Sequence, residues 1–114
     1  MKFHYHKNTW PWGESEHVIA EKDGYLGLVT VSFESENPGV AFISDLSVAP
    51  EIRRQGVATQ LIKTCEHICE QRDIFRIDLN ALRSSAVTEM YKKLGYKKVG
   101  EIDQWDKMSK IIKK

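Results

Sequence analysis

Val48-Ala-Pro-Glu-Ile-Arg-Arg-Gln-Gly-Val-Ala-Thr-Gln-Leu-Ile62 marks the point where the hydrophobic period of the chain changes. Upstream, Val40 to Val48 alternates in the manner of a strand. Downstream, Ala58, Leu61, Ile62, Cys65, Ile68 and Cys69 recur at helical spacing. Pro50 stops the alternation, and two arginines and a glycine stand where the helix begins. A helix N-terminus leaves about four N–H groups without intrahelical partners, and the macrodipole adds partial positive charge there. Gly56 removes the side chain that would keep an anion off the backbone, and Ala58 in the first turn is nearly as small. Arg53 and Arg54 add charge at the rim. Such a helix start suits a phosphate or pyrophosphate. On spacing alone, a basic surface turn that merely precedes a helix reads the same way.

The periodicity outside this stretch supplies the other elements. The opening to about Ser15 is weakly patterned, and Trp10-Pro-Trp-Gly13 reads as a turn or loop. Glu16 to Lys22 reads as a short strand, followed by Asp23-Gly24, a strong hairpin signal. Tyr25 to Glu34 is a second strand, Asn37-Pro-Gly39 a turn, and Val40 to Val48 a third strand. In that third strand Phe42, Leu46 and Val48 are expected on one face, with Ile43, Asp45 and Ser47 on the other. After the helix, Ile74 to Leu79 alternates again, with Phe75, Ile77 and Leu79 together. Ser84 or Ser85 would cap a second helix with the stripe Val87, Met90, Tyr91 and Leu94, stopped by Gly95. Tyr96 to Ile102 and Trp105 to Ile112 close the chain as two strands joined at Asp103-Gln104. The order β-β-β-α-β-α-β-β is that of an α+β fold. The strands flanking the first helix, joined by a helical crossover, are expected to be parallel neighbours.

A chain of 114 residues fits one domain, 1–114, with 1–15 as a reduced N-terminal region. The formal net charge of +1 gives no global field for nucleic acid or a membrane surface. No apolar run approaches the ~20 residues that span a bilayer, and Met1 to Trp10 holds no signal-peptide core. The expected location is cytoplasmic. Cys65 and Cys69, four apart on one helical face, read as buried free thiols. His4 and His6 alternate as metal ligands can, but no Cys, Asp or Glu cluster accompanies them, so no metal is expected.

Arg53-x-x-Gly56-x-Ala58, after a strand ending Leu46-Ser-Val-Ala-Pro50, resembles the acetyl-coenzyme A motif Arg/Gln-x-x-Gly-x-Gly/Ala of the GNAT (Gcn5-related N-acetyltransferase) family. Met90-Tyr-Lys-Lys-Leu-Gly-Tyr96 is similar to the family's second motif helix, which typically ends Tyr-x-x-x-Gly-Phe/Tyr. The two motifs come in the family's order, one helix and one strand apart, and the resemblance covers roughly Glu16 to Lys114. It implies a GNAT-like mixed, mostly antiparallel sheet with a helix on each face and a splayed parallel strand pair. It also implies an enzyme that transfers acetyl from acetyl-coenzyme A to a primary amine by direct attack. The pyrophosphate would rest on Arg53, Arg54, Gln55, Gly56, Val57, Ala58 and Thr59. The pantetheine arm would lie along Leu46, Ser47 and Val48, with the acetyl group in the gap of the splayed pair. Tyr91 matches the family's tyrosine acid, and a backbone N–H around Leu46 to Val48 would meet the oxyanion.

The chain also departs from the family pattern. Many relatives carry a glutamate on the third strand, where this sequence has Phe42 and Ser44. Asp45 and, from the neighbouring strand, Glu34 are the candidate bases, beside a water-relayed route. Relatives commonly have a cofactor-contacting asparagine seven residues before the tyrosine; Ser84 stands there. Most relatives place a strand and two helices before the hairpin, and about fifteen residues here leave room for one short strand. An open acceptor side follows, suited to a protein lysine or N-terminus as well as to a small amine, or completed by a second subunit in a homodimer. Two rival readings remain. One is a GNAT-fold module that binds coenzyme A or a partner without catalysis. The other is a nucleic-acid-binding domain whose lysine-rich hairpin, Tyr96-Lys-Lys98 with Lys107 to Lys114, imitates a wing; the near-neutral chain argues against it.

Overall fold

The computed structural model describes residues 1–50 and 56–113. Four strands, β1 (Lys2–Trp10), β2 (Gly13–Glu21), β3 (Tyr25–Glu34) and β4 (Val40–Val48), run as an antiparallel meander. Helix α1 (Val57–Gln71) then crosses to β5 (Arg76–Leu82), which lies parallel to β4. Helix α2 (Ala86–Lys93) leads to the hairpin β6 (Lys97–Ile102) and β7 (Trp105–Ile111). One seven-stranded sheet results, in the order β1-β2-β3-β4-β5-β7-β6.

Register places the core on one face of this sheet. Val18↔Val29, Val31↔Ile43, Ile43↔Leu79 and Leu79↔Met108 are register partners, and all six residues are buried. Val57, Leu61, Ile62, Cys65 and Cys69 of α1 cover them. The second helix joins α1 on this face. Its Tyr91 ring lies edge-on to Tyr96, whose hydroxyl donates to Glu66 of α1 at 2.9 Å. The expectation of a helix on each face is therefore corrected to two helices on one. The physical reason is the handedness of crossovers. The steps β4 to β5 and β5 to β6 are both parallel and move the same way across the sheet, so right-handed connections put both helices on the same side.

Two further expectations change. Residues 2–10 form a full nine-residue strand, so the order gains a seventh strand at its front. Trp10↔Gly13 closes a two-residue hairpin loop at Pro11-Trp12, and no helix stands between β1 and β2. In β4, Phe42 does not share a face with Leu46 and Val48. Ala41 and Ile43 are buried toward α1, Phe42 is exposed on the opposite face, and Leu46 and Val48 pack against the core. An extra residue in the strand reverses the alternation between them. Phe75, likewise, precedes β5 and is exposed, leaving Ile77 and Leu79 as the buried pair.

Cys65 and Cys69 are free and fully buried. Burial pushes the Cys69 thiol up to about 12, with Glu66 and Glu70 adding to the shift. Burial likewise raises Cys65, with Cys69, Glu16 and Glu66 adding. Thiols that ionise only after unfolding stabilise the native state fully below about pH 8.5, and that contribution is lost as pH rises toward the native values. The expected loss is about 1.4 kcal/mol per pH unit for each thiol. Urea midpoints should hold from pH 7 to 8 and fall steeply from pH 9 to 10. A Cys65→Ala/Cys69→Ala variant should flatten that window; a midpoint that falls as steeply without the thiols would exclude them as the cause.

Candidate active site

The ladder between β4 and β5 runs from Val40↔Arg76 to Ile43↔Leu79 and stops there. Beyond it β4 continues from Ser44 to Val48 against β3 alone, and β5 continues from Asn80 to Leu82 against β7 alone. The cause is local to β4. Thr30 pairs with Ser44 and Leu28 with Ser47, so Asp45 and Leu46 together oppose the single residue Val29. This is a β-bulge, which bends its strand and increases the twist. Asp45 takes the left-handed conformation that it requires, at φ 57°, and aspartate is among the few non-glycine residues that tolerate this. The bulge turns β4 away from β5 and opens a fork in the sheet.

Helix α1 starts where β4 ends. Its cap, Gly56, has φ 81° and ψ 5°, with no side-chain cap hydrogen bond and no acidic residue in the first turn. Among the described residues, a Cβ built on Gly56 meets nothing within 4 Å. Val57 is buried, and Ala58 and Thr59 are half-buried. This arrangement fits a phosphate, with backbone N–H groups and the helix dipole presented to it. Arg53, Arg54 and Gln55 lie outside the described residues. A second glycine, which the sequence did not single out, brings α1 down onto the sheet. A Cβ on Gly27 would stand 2.8 Å from the Ser47 carbonyl oxygen and 3.1 Å from Leu61 Cδ1.

Helix α2 begins at Ser85, whose Oγ accepts from the Thr88 N–H at 3.2 Å. Ser84, just before this cap, is exposed at φ 59°. Tyr91 is 4% exposed, with its ring 5.5 Å from that of Tyr96. Among the described residues nothing hydrogen-bonds its hydroxyl. Burial, with the neighbouring Cys65 adding, pushes the phenol above its ordinary range. At neutral pH it therefore holds its proton.

The candidate acids part company. Asp45 is exposed at the bulge, on the arm of the fork. Glu34 sits at the other end of the strand, opposite Gly13 and level with Val40 where the parallel ladder is closed. Five residues of strand separate these levels, about 16 Å, so Glu34 is not brought to the fork. Leu46 and Val48 pack toward the core and Ser47 is exposed, all on the arm beyond the bulge. The lysine-rich hairpin is not a free wing, since β7 is an interior strand between β5 and β6.

The sequence model described as the acetyltransferase (GNAT) family matches residues 2–96. Among solved structures, the chain is similar to a PaiA N-acetyltransferase from Thermoplasma acidophilum in complex with coenzyme A. That match has a TM-score of 0.76 and 21% identity, over 83% of this chain and 59% of the other. It is also similar to an acetyltransferase from Bacillus cereus, with a TM-score of 0.77 and 22% identity over 87% and 74%. Nourseothricin acetyltransferase gives a TM-score of 0.73 and 21% identity over 90% and 67%. The chain thus spans well under two thirds of the first of these.

Proposed function

The chain belongs to the GNAT acetyltransferase family, and from that premise we propose that it transfers an acetyl group from acetyl-coenzyme A to a primary amine. The observation that carries this reading is the fork beyond Ile43↔Leu79, with the start of α1 at the end of one arm. Acetyl-coenzyme A would supply the activated acetyl thioester. Backbone N–H groups of Val57, Ala58 and Thr59, with Arg53, Arg54 and Gln55, would hold its pyrophosphate, and Gly56 would leave room for it. The β4 stretch Leu46, Ser47 and Val48 would lie along the pantetheine arm, with Ser84 as a further contact. A backbone N–H just after the bulge would meet the negative charge that develops on the carbonyl oxygen. Tyr91 would keep a proton ready for the departing sulfur. Asp45, exposed on the same arm, would attract the incoming ammonium group.

The acceptor would come from the helix-free face. Nothing among the described residues covers the sheet there, and Phe42, Leu82 and Ile111 are exposed on it. A side chain or terminus of a protein has room on such a face, as has a small amine. The first test is binding. Acetyl-coenzyme A at 100 times its Kd should stabilise the native state by about 2.7 kcal/mol, a rise of several degrees in Tm. No shift at millimolar ligand would sink the reading. Coenzyme A release that depends on an added amine would then establish the transfer.

A further inference from the structure

The helix-free face carries a row of polar side chains that crosses the strands and ends at the fork. His17 of β2 pairs in register with Thr30 of β3, and Thr30 pairs with Ser44 of β4. His17 Nδ1 lies 2.8 Å from Thr30 Oγ1, and His17 Nε2 lies 3.0 Å from Asn8 Nδ2 of β1. Ser44 is the last β4 residue before the bulge and the first without a partner in β5. Its neighbours Ile43 and Ala41 mark the core-facing side, so Ser44 belongs to the helix-free side along with Thr30 and His17. Thr30 is only 5% exposed although no helix among the described residues covers it. Directly paired residues carry Cβ atoms about 5 Å apart, which leaves the two hydroxyls close enough for one water to bridge them.

We propose that this row is the proton exit of the reaction: the ammonium form of the acceptor loses its proton at Ser44, and Thr30 passes one on to His17. The inference rests on the acetyltransferase reading and supplies the base that the third strand lacks. The balance is simple. The acceptor changes from R–NH3⁺ to R–NH2, each hydroxyl takes one proton and gives up its own, and neutral imidazole becomes imidazolium. His17 acts through Thr30 and Ser44 and is a positioning residue for proton transfer, while Ser44 is the group at the acceptor. Asn8 is suited to both states. The proton arrives at Nδ1, so Nε2 carries hydrogen throughout, and the Asn8 amide, turned to present its carbonyl oxygen, accepts that hydrogen before and after transfer. The charged or titratable groups facing His17 are few. His6 is its register partner on β1, and His4 lies further along that strand beside Glu21 at 3.6 Å. β3 contributes only Thr30 and its neighbours Leu28 and Ser32 on that face.

The experiment compares two acceptors with acetyl-coenzyme A. One is a lysine-containing peptide, protonated at neutral pH; the other is hydroxylamine, which arrives neutral and has no proton to lose before attack. His17→Gln and Thr30→Val should each lower kcat/KM for the peptide at pH 7 by roughly a hundredfold. Each should also remove the acidic limb of its pH profile. Hydroxylamine transfer should stay within about threefold of wild type, and Thr30→Ser should keep the limb. Equal losses on both acceptors mean structural damage and overturn the relay. An acidic limb that persists in His17→Gln but disappears in Asp45→Asn overturns it too, moving the proton exit to the bulge. A wild-type protein that acetylates neither acceptor overturns the acetyltransferase reading and the relay with it.

Discussion

Tyr91→Phe should lower kcat by about 10²- to 10³-fold while leaving the fold and the affinity for acetyl-coenzyme A close to wild type. The residue has the attributes of a donor. Burial and the adjacent Cys65 raise its pKa, so the phenol keeps its proton across the physiological range. Nothing among the described residues occupies the hydroxyl. The substitution keeps the ring that packs against Tyr96 and removes only an oxygen. Loss of a hydroxyl that has no partner among the described residues costs little, so Tm should stay within a degree or two. Steady-state kinetics with a fixed acceptor checks both halves. A fall in kcat with unchanged KM for acetyl-coenzyme A assigns the proton to Tyr91. A Phe variant as fast as wild type leaves Tyr91 as a core aromatic, which its place among Val87, Met90 and Leu94 would equally explain.

The reach of the sequence was set by which interactions are local. Helix α1 was legible because Leu61, Ile62, Cys65 and Cys69 bury one stripe against one sheet face. Hairpin turns were legible because Asp23, Gly24, Gly39 and Asp103 take the positive φ that their residue types favour. Strand β1 was not, because along the sheet edge only Phe3 and Trp10 are partly buried, and no alternation survives. The bulge at Asp45 was invisible for another reason. One added residue reverses the facing of everything after it, while composition barely registers it. The shared face of the helices depends on strand order, which periodicity cannot supply.

The candidate site divides along the same line. Gly56 and Tyr91 stood out because each lies in a short motif whose spacing is local. Glu34 was named for its residue type, but which end of the sheet an acid occupies is set by register with Gly13 and by the step from Phe33 to Ala41. The row His17, Thr30 and Ser44 left no signal at all, since its members sit on three strands and meet only through pairing.

Gly56→Leu should abolish binding of coenzyme A, raising Kd by more than about a hundredfold, and should cost only part of the stability. Two effects are separable here. The backbone at φ 81° strains any residue with a Cβ, by about 1–2 kcal/mol. Alanine and leucine both incur that strain, so Gly56→Ala and Gly56→Leu should lose similar stability in urea titrations. They differ in what extends into the space before the helix. Among the described residues nothing lies within 4 Å of a Cβ at this position, so the larger side chain takes the volume an anion would need. Leucine would also keep the first-turn N–H groups from the pyrophosphate, whose charge-assisted hydrogen bonds are worth about 1.5–3 kcal/mol each. Loss of two such bonds is enough for the predicted change in Kd. Calorimetric titration with coenzyme A should therefore rank wild type above alanine and alanine far above leucine, while urea midpoints place the two variants together. A leucine variant that binds within threefold of wild type would mean that the phosphates lie elsewhere. The start of α1 would then be a glycine-capped turn whose φ serves only to lead β4 into the helix.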